Sequence, residues 1–183
     1  SHRAGRLLAT IRSRCQSVRF PTVRSGEALA WLIRQTKNSE AQVKSSLSLA
    51  QGAPLLAADF LRQDVLPLRD KLLASALDLV SGRSEPIQLA SAWLKTDLRQ
   101  PLYWLSGVVM DLWRLQVSAN PPHLCHPEWR QKLAPVAGRL SMKSVLRLSM
   151  EVNAAMQVLH TTVNSQMLLE NIFIQFSKVC NRA

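Results

Sequence analysis

The stretch PLYWLSGVVMDLWRLQV, residues 101–117, decides the fold class of this chain of 183 residues. Its residues 102–110 are nearly all apolar and are bounded by Arg99 and Asp111. That run is far shorter than the roughly 20 apolar residues that a membrane-spanning helix needs. We therefore expect a long helix, starting at Pro101, that is buried in the core of a water-soluble protein with no membrane contact.

The composition around this stretch also favours helix. Hydrophobic residues make up 47% of the chain, which has only 6 Gly, 9 Pro and one Tyr. Leu, Ala, Gln, Ser and Arg abound, whereas β-branched residues are not clustered. These features are typical of a folded helical chain and not of a disordered one. A chain of this length forms one large domain or two small ones. We expect an all-α fold.

Turn and capping residues divide the rest of the sequence into further helices. Gly52 has the residue type favoured just after a helix, Pro54 suits a first helical turn, and Ser141 suits an N-cap. With the apolar spacing, these signals predict helices over residues 25–36, 39–51, 54–62, 65–80, 84–94, 128–137, 141–160 and 164–178. The proline-rich residues 120–127 are predicted to form a loop.

The first twenty residues differ from the helical remainder. Residues 7–11 suit a short helical turn, and residues 16–20 alternate polar with apolar side chains, as a strand does, until Pro21 ends the pattern. Because a single strand is not stable alone, it needs a sheet that this chain does not contain. We expect the end of a truncated domain here, in a chain that does not begin with Met and is part of a longer or processed protein.

Charge and cysteine content narrow the class of protein. The net charge is +11, and residues 1–37 hold eight cationic side chains against one acidic one, Glu27. A basic front end suits an anionic neighbour, which leaves nucleotide phosphate, nucleic acid or an acidic subunit face open. Cys15, Cys125 and Cys180 are odd in number and irregularly spaced, so they form no disulfide framework and favour a reducing cytoplasm.

Motifs for autonomous catalysis are absent from the sequence. It has no G-x-x-x-x-G-K-[ST] phosphate loop, no strand ending in paired carboxylates, and no GxSxG, HExxH or paired CxxC motif. We expect the chain to bind no ATP by itself and to have no active site of its own, which leaves open whether it is a subunit of an enzyme. No cofactor is expected.

The sequence TIRSRCQ, residues 10–16, resembles the SRC segment of clamp-loader ATPases of the AAA+ class. With the helical sequence behind it, including residues 40–60 and NSQMLLE at 164–170, the chain is similar to the delta-prime family of bacterial DNA polymerase III clamp-loader subunits. The resemblance implies three parts: the end of the AAA+ nucleotide-binding domain in residues 1–22, a three-helix lid in 23–63, and a helical collar that joins subunits in 64–183.

The same resemblance assigns a role to Arg14. In the family, the SRC arginine reaches across a subunit interface to the phosphates of ATP on a neighbour, acting as an arginine finger in trans. Ser13 and Cys15 complete the motif, and we expect Cys15 to be a buried small residue and not a nucleophile. The implied partners are the motor (gamma/tau) and delta subunits and, through the complex, the sliding clamp and primed DNA.

Leu56 is where the sequence departs from hydrolysing members of the family. Those members carry an arginine early in the third lid helix, in a G-[SA]-P-x-R segment that touches nucleotide in cis. Here the segment is GAPLLA, residues 52–57. Because leucine cannot pair with phosphate, the resemblance implies a subunit that does not hydrolyse ATP. The alternative function is a basic helical module that binds DNA or RNA directly.

Two other residue groups have competing interpretations. His123, Cys125 and His126 could ligate Zn²⁺, but a structural site needs a fourth ligand, so we expect an ordinary rigid loop and no metal. The tryptophans could stack on bases. We instead expect Trp104 and Trp113 to lie on similar faces of one helix and to pack in a core or subunit interface. The role of Trp129 is left open.

Overall fold

The computed structural model describes residues 8–16, 18, 23, 25–94, 97–159 and 164–181. In these residues, ten α-helices and one 3-10 helix follow one another and no strand occurs, which confirms the all-α prediction. The predicted strand at 16–20 lies mostly outside the described residues. The helices are α1 (Ala9–Arg12), α2 (Ser25–Gln35), α3 (Glu40–Leu49), α4 (Pro54–Arg62), α5 (Val65–Val80), α6 (Pro86–Trp93), α7 (Arg99–Val117), α8 (Arg130–Arg139, preceded by the 3-10 helix Pro127–Trp129), α9 (Met142–Val158) and α10 (Ser165–Asn181).

Helices α2, α3 and α4 pack on one another, and local sequence sets their ends. Ser39 caps α3 in a reciprocal capping box with Gln42. Helix α3 ends at Leu49, two residues before the predicted end at 51. The chain then leaves the helix through Gln51 and Gly52, which have positive φ values of 51° and 84°. The amide of Gly52 donates to the carbonyl of Leu47 at 2.9 Å, which closes the helix. Three helices thus form as expected, while the domain boundaries at residues 22 and 63 stay predictions.

Helix α7 lies at the centre of the remaining helices. Helices α8 and α9 both pack on α7, and α10 packs on α5, α6 and α9. The core includes fully buried aromatic side chains, among them Trp93 and Phe173, whose rings meet edge to face with centroids 5.0 Å apart. None of the helices in the described ranges has both the length and the hydropathy to cross a membrane.

Tyr103 joins the first three helices to this core. Its hydroxyl donates to the carbonyl of Leu49 at 3.2 Å, and its ring lies 6.3 Å from that of Phe60 on α4. Beside it, the side-chain amide of Gln100 donates to the amide oxygen of Gln63 at 3.0 Å. These contacts fix α3 and α4 against α7, so the first three helices hold a defined position relative to the remaining helices.

The prediction that Trp104 and Trp113 share a face of α7 is wrong. Trp104 is fully buried, whereas Trp113 is 47% exposed. Nine residues at about 100° each place two side chains on opposite sides of a helix. Trp104 therefore belongs to the core, and Trp113 belongs to the surface.

Candidate functional site

Arg14 lies just after the single helical turn α1. The amide of Arg14 donates to the carbonyl of Ile11 at 3.1 Å, and the Ser13 hydroxyl donates to the carbonyl of Thr10 at 3.1 Å, so the turn is closed locally. Arg14 is exposed, as is Ser13. Among the described residues, no carboxylate or carbonyl pairs with its guanidinium. The group is therefore free to meet an anion that this part of the chain does not supply.

The expectation that Cys15 is buried is wrong. Its thiol is free and exposed. A helix of only four residues has too little surface to cover its neighbours, and Leu8 and Ile11 beside it are exposed as well. The thiol contributes no packing among the described residues, where Ser13, Arg14 and Cys15 are all exposed.

Leu56 lies on α4 at the edge of a groove between α4, α7 and the end of α9. The groove is lined by Leu56, Phe60, Tyr103 and Met156, and also by the polar side chains of Arg99 and Gln100. The side chain at position 56 is therefore part of the lining of this groove. It offers no group that binds phosphate.

The proline-rich loop is anchored by a buried carboxylate that sequence reasoning missed. Asp111, on α7, is fully buried. Its Oδ1 accepts from the amide of Cys125 at 2.8 Å, and its Oδ2 accepts from the amide of His126 at 2.8 Å. Arg114 completes the anchor, with Nη1 3.1 Å from Oδ1. Burial raises the pKa of Asp111, while these hydrogen bonds and the charge of Arg114 oppose the shift.

His126 is held on the other side of the same loop. Its Nε2 lies 3.0 Å from the carbonyl of Trp104, an acceptor, so Nε2 carries the hydrogen and donates it. Burial lowers the pKa of His126 to about 4, which keeps the ring neutral near pH 7. The ring needs a glycine opposite it, because a Cβ on Gly107 would lie only 2.9 Å from Nε2.

Of the three candidate metal ligands His123, Cys125 and His126, two are buried by the contacts of this loop. Cys125 is buried beside Arg114, whose Nη1 lies 3.4 Å from its sulfur, and burial raises the pKa of the thiol. His123 is exposed on the loop, away from the buried pair. Within the described ranges, no three side chains of the metal-binding types come together. Cys125 and His126 anchor a loop in this structure.

Trp129, whose role the sequence leaves open, lies in a second polar cluster, in which Trp129 and Arg69 are buried and Asp70 and Glu128 are partly exposed. Its indole nitrogen donates to Asp70 Oδ1 at 3.0 Å, and the ammonium of Lys132 lies 4.2 Å from its ring centroid. Arg69, only 2% exposed, pairs with both Asp70 and Glu128. Trp129 is 6% exposed, so it joins α5 to the start of α8 and presents no open face for a nucleic-acid base.

Comparisons with known proteins relate the chain to subunits of DNA polymerase III. A family model described as "DNA polymerase III, delta subunit, C terminal" matches residues 63–178. A relative from Pseudomonas aeruginosa named DNA polymerase III subunit delta' is 24% identical over 182 residues, 98% of this chain. A protein of the same name from Yersinia pestis is 30% identical over 124 residues, 65% of this chain. The chain spans 56% and 36% of the lengths of these two relatives.

Proposed function

The chain belongs to the family formed by the C-terminal regions of DNA polymerase III delta subunits, and on that premise we propose that it is the lid and collar of a clamp-loader subunit of the delta-prime type. Such a subunit assembles with motor and delta subunits to load the sliding clamp onto primed DNA. It does not hydrolyse ATP itself. It supplies Arg14 to the ATP site of the neighbouring motor subunit.

The observation that carries this proposal is the state of Arg14. Its guanidinium is exposed and pairs with no described side chain, in a segment that matches the SRC motif. A guanidinium is charged at every physiological pH and can bind two phosphate oxygens at once. Placed at the γ-phosphate, such a group stabilises the charge of the transition state and accelerates phosphoryl transfer by about 10³–10⁵-fold.

Leu56 supports the division of labour between subunits. Its side chain lines a groove with Phe60 and Tyr103, so position 56 lacks the cation that hydrolysing relatives use in cis. A subunit whose lid lacks the cis arginine and whose SRC arginine is exposed acts on the nucleotide of a neighbour and not on its own. The contacts of Tyr103 with Leu49 and Phe60 then hold the lid in a fixed position on the collar helices.

The test uses the full-length protein reconstituted with its motor and delta subunits. We expect Arg14→Ala to lower clamp- and DNA-stimulated ATP hydrolysis at least about tenfold at the affected site, because the transition state loses its cation. Arg34→Ala is the matched control, since Arg34 is another exposed arginine of the basic front end. Assembly is checked by light scattering on a sizing column for each variant.

Three outcomes are informative. Loss of hydrolysis in an assembled complex, with Arg34→Ala unchanged, supports the trans role. Unchanged hydrolysis in an assembled Arg14→Ala complex makes Arg14 a surface residue and removes the proposed mechanism. Failure of the wild-type protein to join the other subunits removes the proposed function altogether.

The basic front end favours one alternative, a helical module that binds nucleic acid directly. Eight cations against one anion in residues 1–37 are enough to attract phosphate groups. This alternative predicts an affinity of the isolated chain for DNA that falls steeply with salt, because neutralised phosphates release their counterions. The clamp-loader proposal predicts weak binding of DNA by the isolated chain at any salt concentration. Fluorescence anisotropy with labelled duplex DNA separates the two.

A further inference from the structure

Helices α7 and α9 present a continuous apolar surface to solvent, which we call the α7–α9 face. On α9, Met142, Leu146 and Met150 recur every four residues and are all at least half exposed. On α7, Trp113 and Val117 are exposed at a spacing of four. Side chains of the two helices line one shared groove, and a second groove continues from Trp113 past Val117 to the proline-rich loop.

The exposed side chains of the α7–α9 face are distinct from the buried side chains of the same helices. Helix α9 packs on α7 and α10, and its Val145, Leu148 and Val152 are buried. Buried Val109 and Val145 also line the shared groove. Leu146 is 58% exposed and Met150 is 65% exposed, so folding of the described residues leaves them in water. Large apolar side chains that are contiguous on a surface mark sites of protein contact.

A row of cations borders the face. Lys143 and Arg147 each follow a member of the apolar stripe by one residue, so at about 100° per residue they lie along its outer side. Both are exposed, and no carboxylate among the described residues pairs with either. From residue 129 to residue 150 the sequence contains no Asp or Glu. The next carboxylate, Glu151, accepts a hydrogen bond from Asn171 on α10 at 3.3 Å.

We propose that the α7–α9 face binds an amphipathic helix of another subunit, with apolar residues along one side and carboxylates beside them. The groove between two helices and the three- and four-residue spacing of its rim suit a helix as the occupant. The unpaired Lys143 and Arg147 select acidic side chains next to the apolar contact. The inference rests on the proposed function, since it places this helix in another subunit of the loader.

The test measures assembly of the full-length protein with its motor and delta subunits by light scattering and titration. We expect Leu146→Asp to weaken assembly at least about tenfold, because it puts a charge into the apolar contact. Ile87→Asp on α6 is the matched control, since Ile87 is exposed to the same degree, 59%, outside the face. Circular dichroism verifies folding, and Met150→Asp replaces Leu146→Asp if the latter variant unfolds.

A charge reversal tests the chemistry of the partner. We expect Arg147→Glu to weaken assembly several-fold at low salt and less at high salt. At high salt, the attraction between Arg147 and acidic side chains of the partner is already screened in the wild type. Lys71→Glu on α5, an exposed cation that does not line the face, is the control. Tighter assembly of Arg147→Glu would mean that the partner is basic and would overturn the proposal.

Failure of this inference is distinguishable from failure of the proposed function. If Leu146→Asp and Met150→Asp assemble as the wild type does, the α7–α9 face is not the contact, while the Arg14 experiment still decides the function. If the isolated chain self-associates through the face and the assembled loader does not use it, the occupant is a second copy and the inference is wrong. If wild type joins no other subunit, both proposals fail.

Discussion

His126 links the stability of the folded chain to pH through a single imidazole. Burial lowers its pKa to about 4 in the folded state, with the nearby charge of Arg69 acting in the same direction and Asp70 and the carbonyl of Trp104 opposing it. The unfolded pKa is about 6.5, so between the two values the unfolded chain binds more protons than the folded one. The stabilisation that the neutral His126 ring contributes to the folded state is therefore complete above pH 6.5 and is lost as pH falls toward 4.

We expect the free energy of unfolding to fall by up to about 3 kcal/mol from this group between pH 6.5 and 4. Urea denaturation at half-unit steps of pH measures it, with His126→Gln as the comparison because Gln can still donate to the Trp104 carbonyl without titrating. Burial raises the pKa of Asp111, so this carboxyl group raises the free energy of unfolding as pH falls. Asp111 is present in both wild type and variant, so its effect cancels in the comparison. Parallel pH profiles for wild type and variant would contradict the prediction.

Sequence alone singled out Arg14 as a candidate by its motif, and its role stays a prediction, whereas the anchor around Asp111 was not predicted at all. The SRC segment is contiguous, so its residues are read together. Asp111 instead meets the amides of Cys125 and His126, which are fourteen and fifteen residues away. In the sequence, Asp111 only bounds an apolar run. The available signal was a charged residue, Asp111, inside a helix whose apolar residues continue beyond it. That signal could not show its partners, because no local pattern predicts the path of the loop at residues 120–127.

Among the elements, several helix starts were predicted well because their signals are local. Helix α3 begins after Ser39, α4 begins at Pro54 and Ser141 caps α9. Other ends were less accurate, since α3 ends at Leu49 and not at 51, and α7 begins at Arg99 and not at Pro101.

The buried side of α7 was harder to predict. Helical spacing alone places Trp104 and Trp113 on opposite sides, so the predicted shared face was an error of geometry. Large apolar side chains lie on both sides of α7, and its packing against α8 and α9 decides which side is buried.

Contact between α7 and the proline-rich loop depends on Gly107. A Cβ at this position would lie 2.9 Å from His126 Nε2 and 3.2 Å from Cys125 Cβ, and both neighbours are buried and hydrogen bonded. We expect Gly107→Ala to lower the free energy of unfolding by about 1–3 kcal/mol, because the loop must shift from its anchor. Chemical denaturation measures the change.

Gly138→Ala is the matched control for this prediction. Gly138 lies in helix α8 and has open space where its Cβ would be. Alanine there should leave stability unchanged or raise it by up to about 1 kcal/mol, because alanine favours helix more than glycine does. A Gly107→Ala protein as stable as Gly138→Ala would show that the loop is not tightly packed on α7.

Across the whole molecule, the described chain combines an exposed Arg14, helices α2–α4 with leucine at position 56, and a helical region with an exposed apolar face. The Tyr103 and Gln100 contacts join α3 and α4 to the helices that bear this face. A contact made at the α7–α9 face would therefore also position α3 and α4. This arrangement suits a subunit whose part in the reaction is to be held in place beside a neighbour.

The most direct test of the proposed trans role of Arg14 is the amount of ADP and aluminium fluoride that the assembled loader retains. This pair mimics the transition state of phosphoryl transfer, so its retention depends on the groups that stabilise that state. We expect Arg14→Ala to abolish retention at the neighbouring site to which Arg14 is proposed to contribute, while Arg34→Ala retains as much as the wild type. Equal retention by Arg14→Ala and wild type, in loaders shown to be fully assembled, would contradict the account.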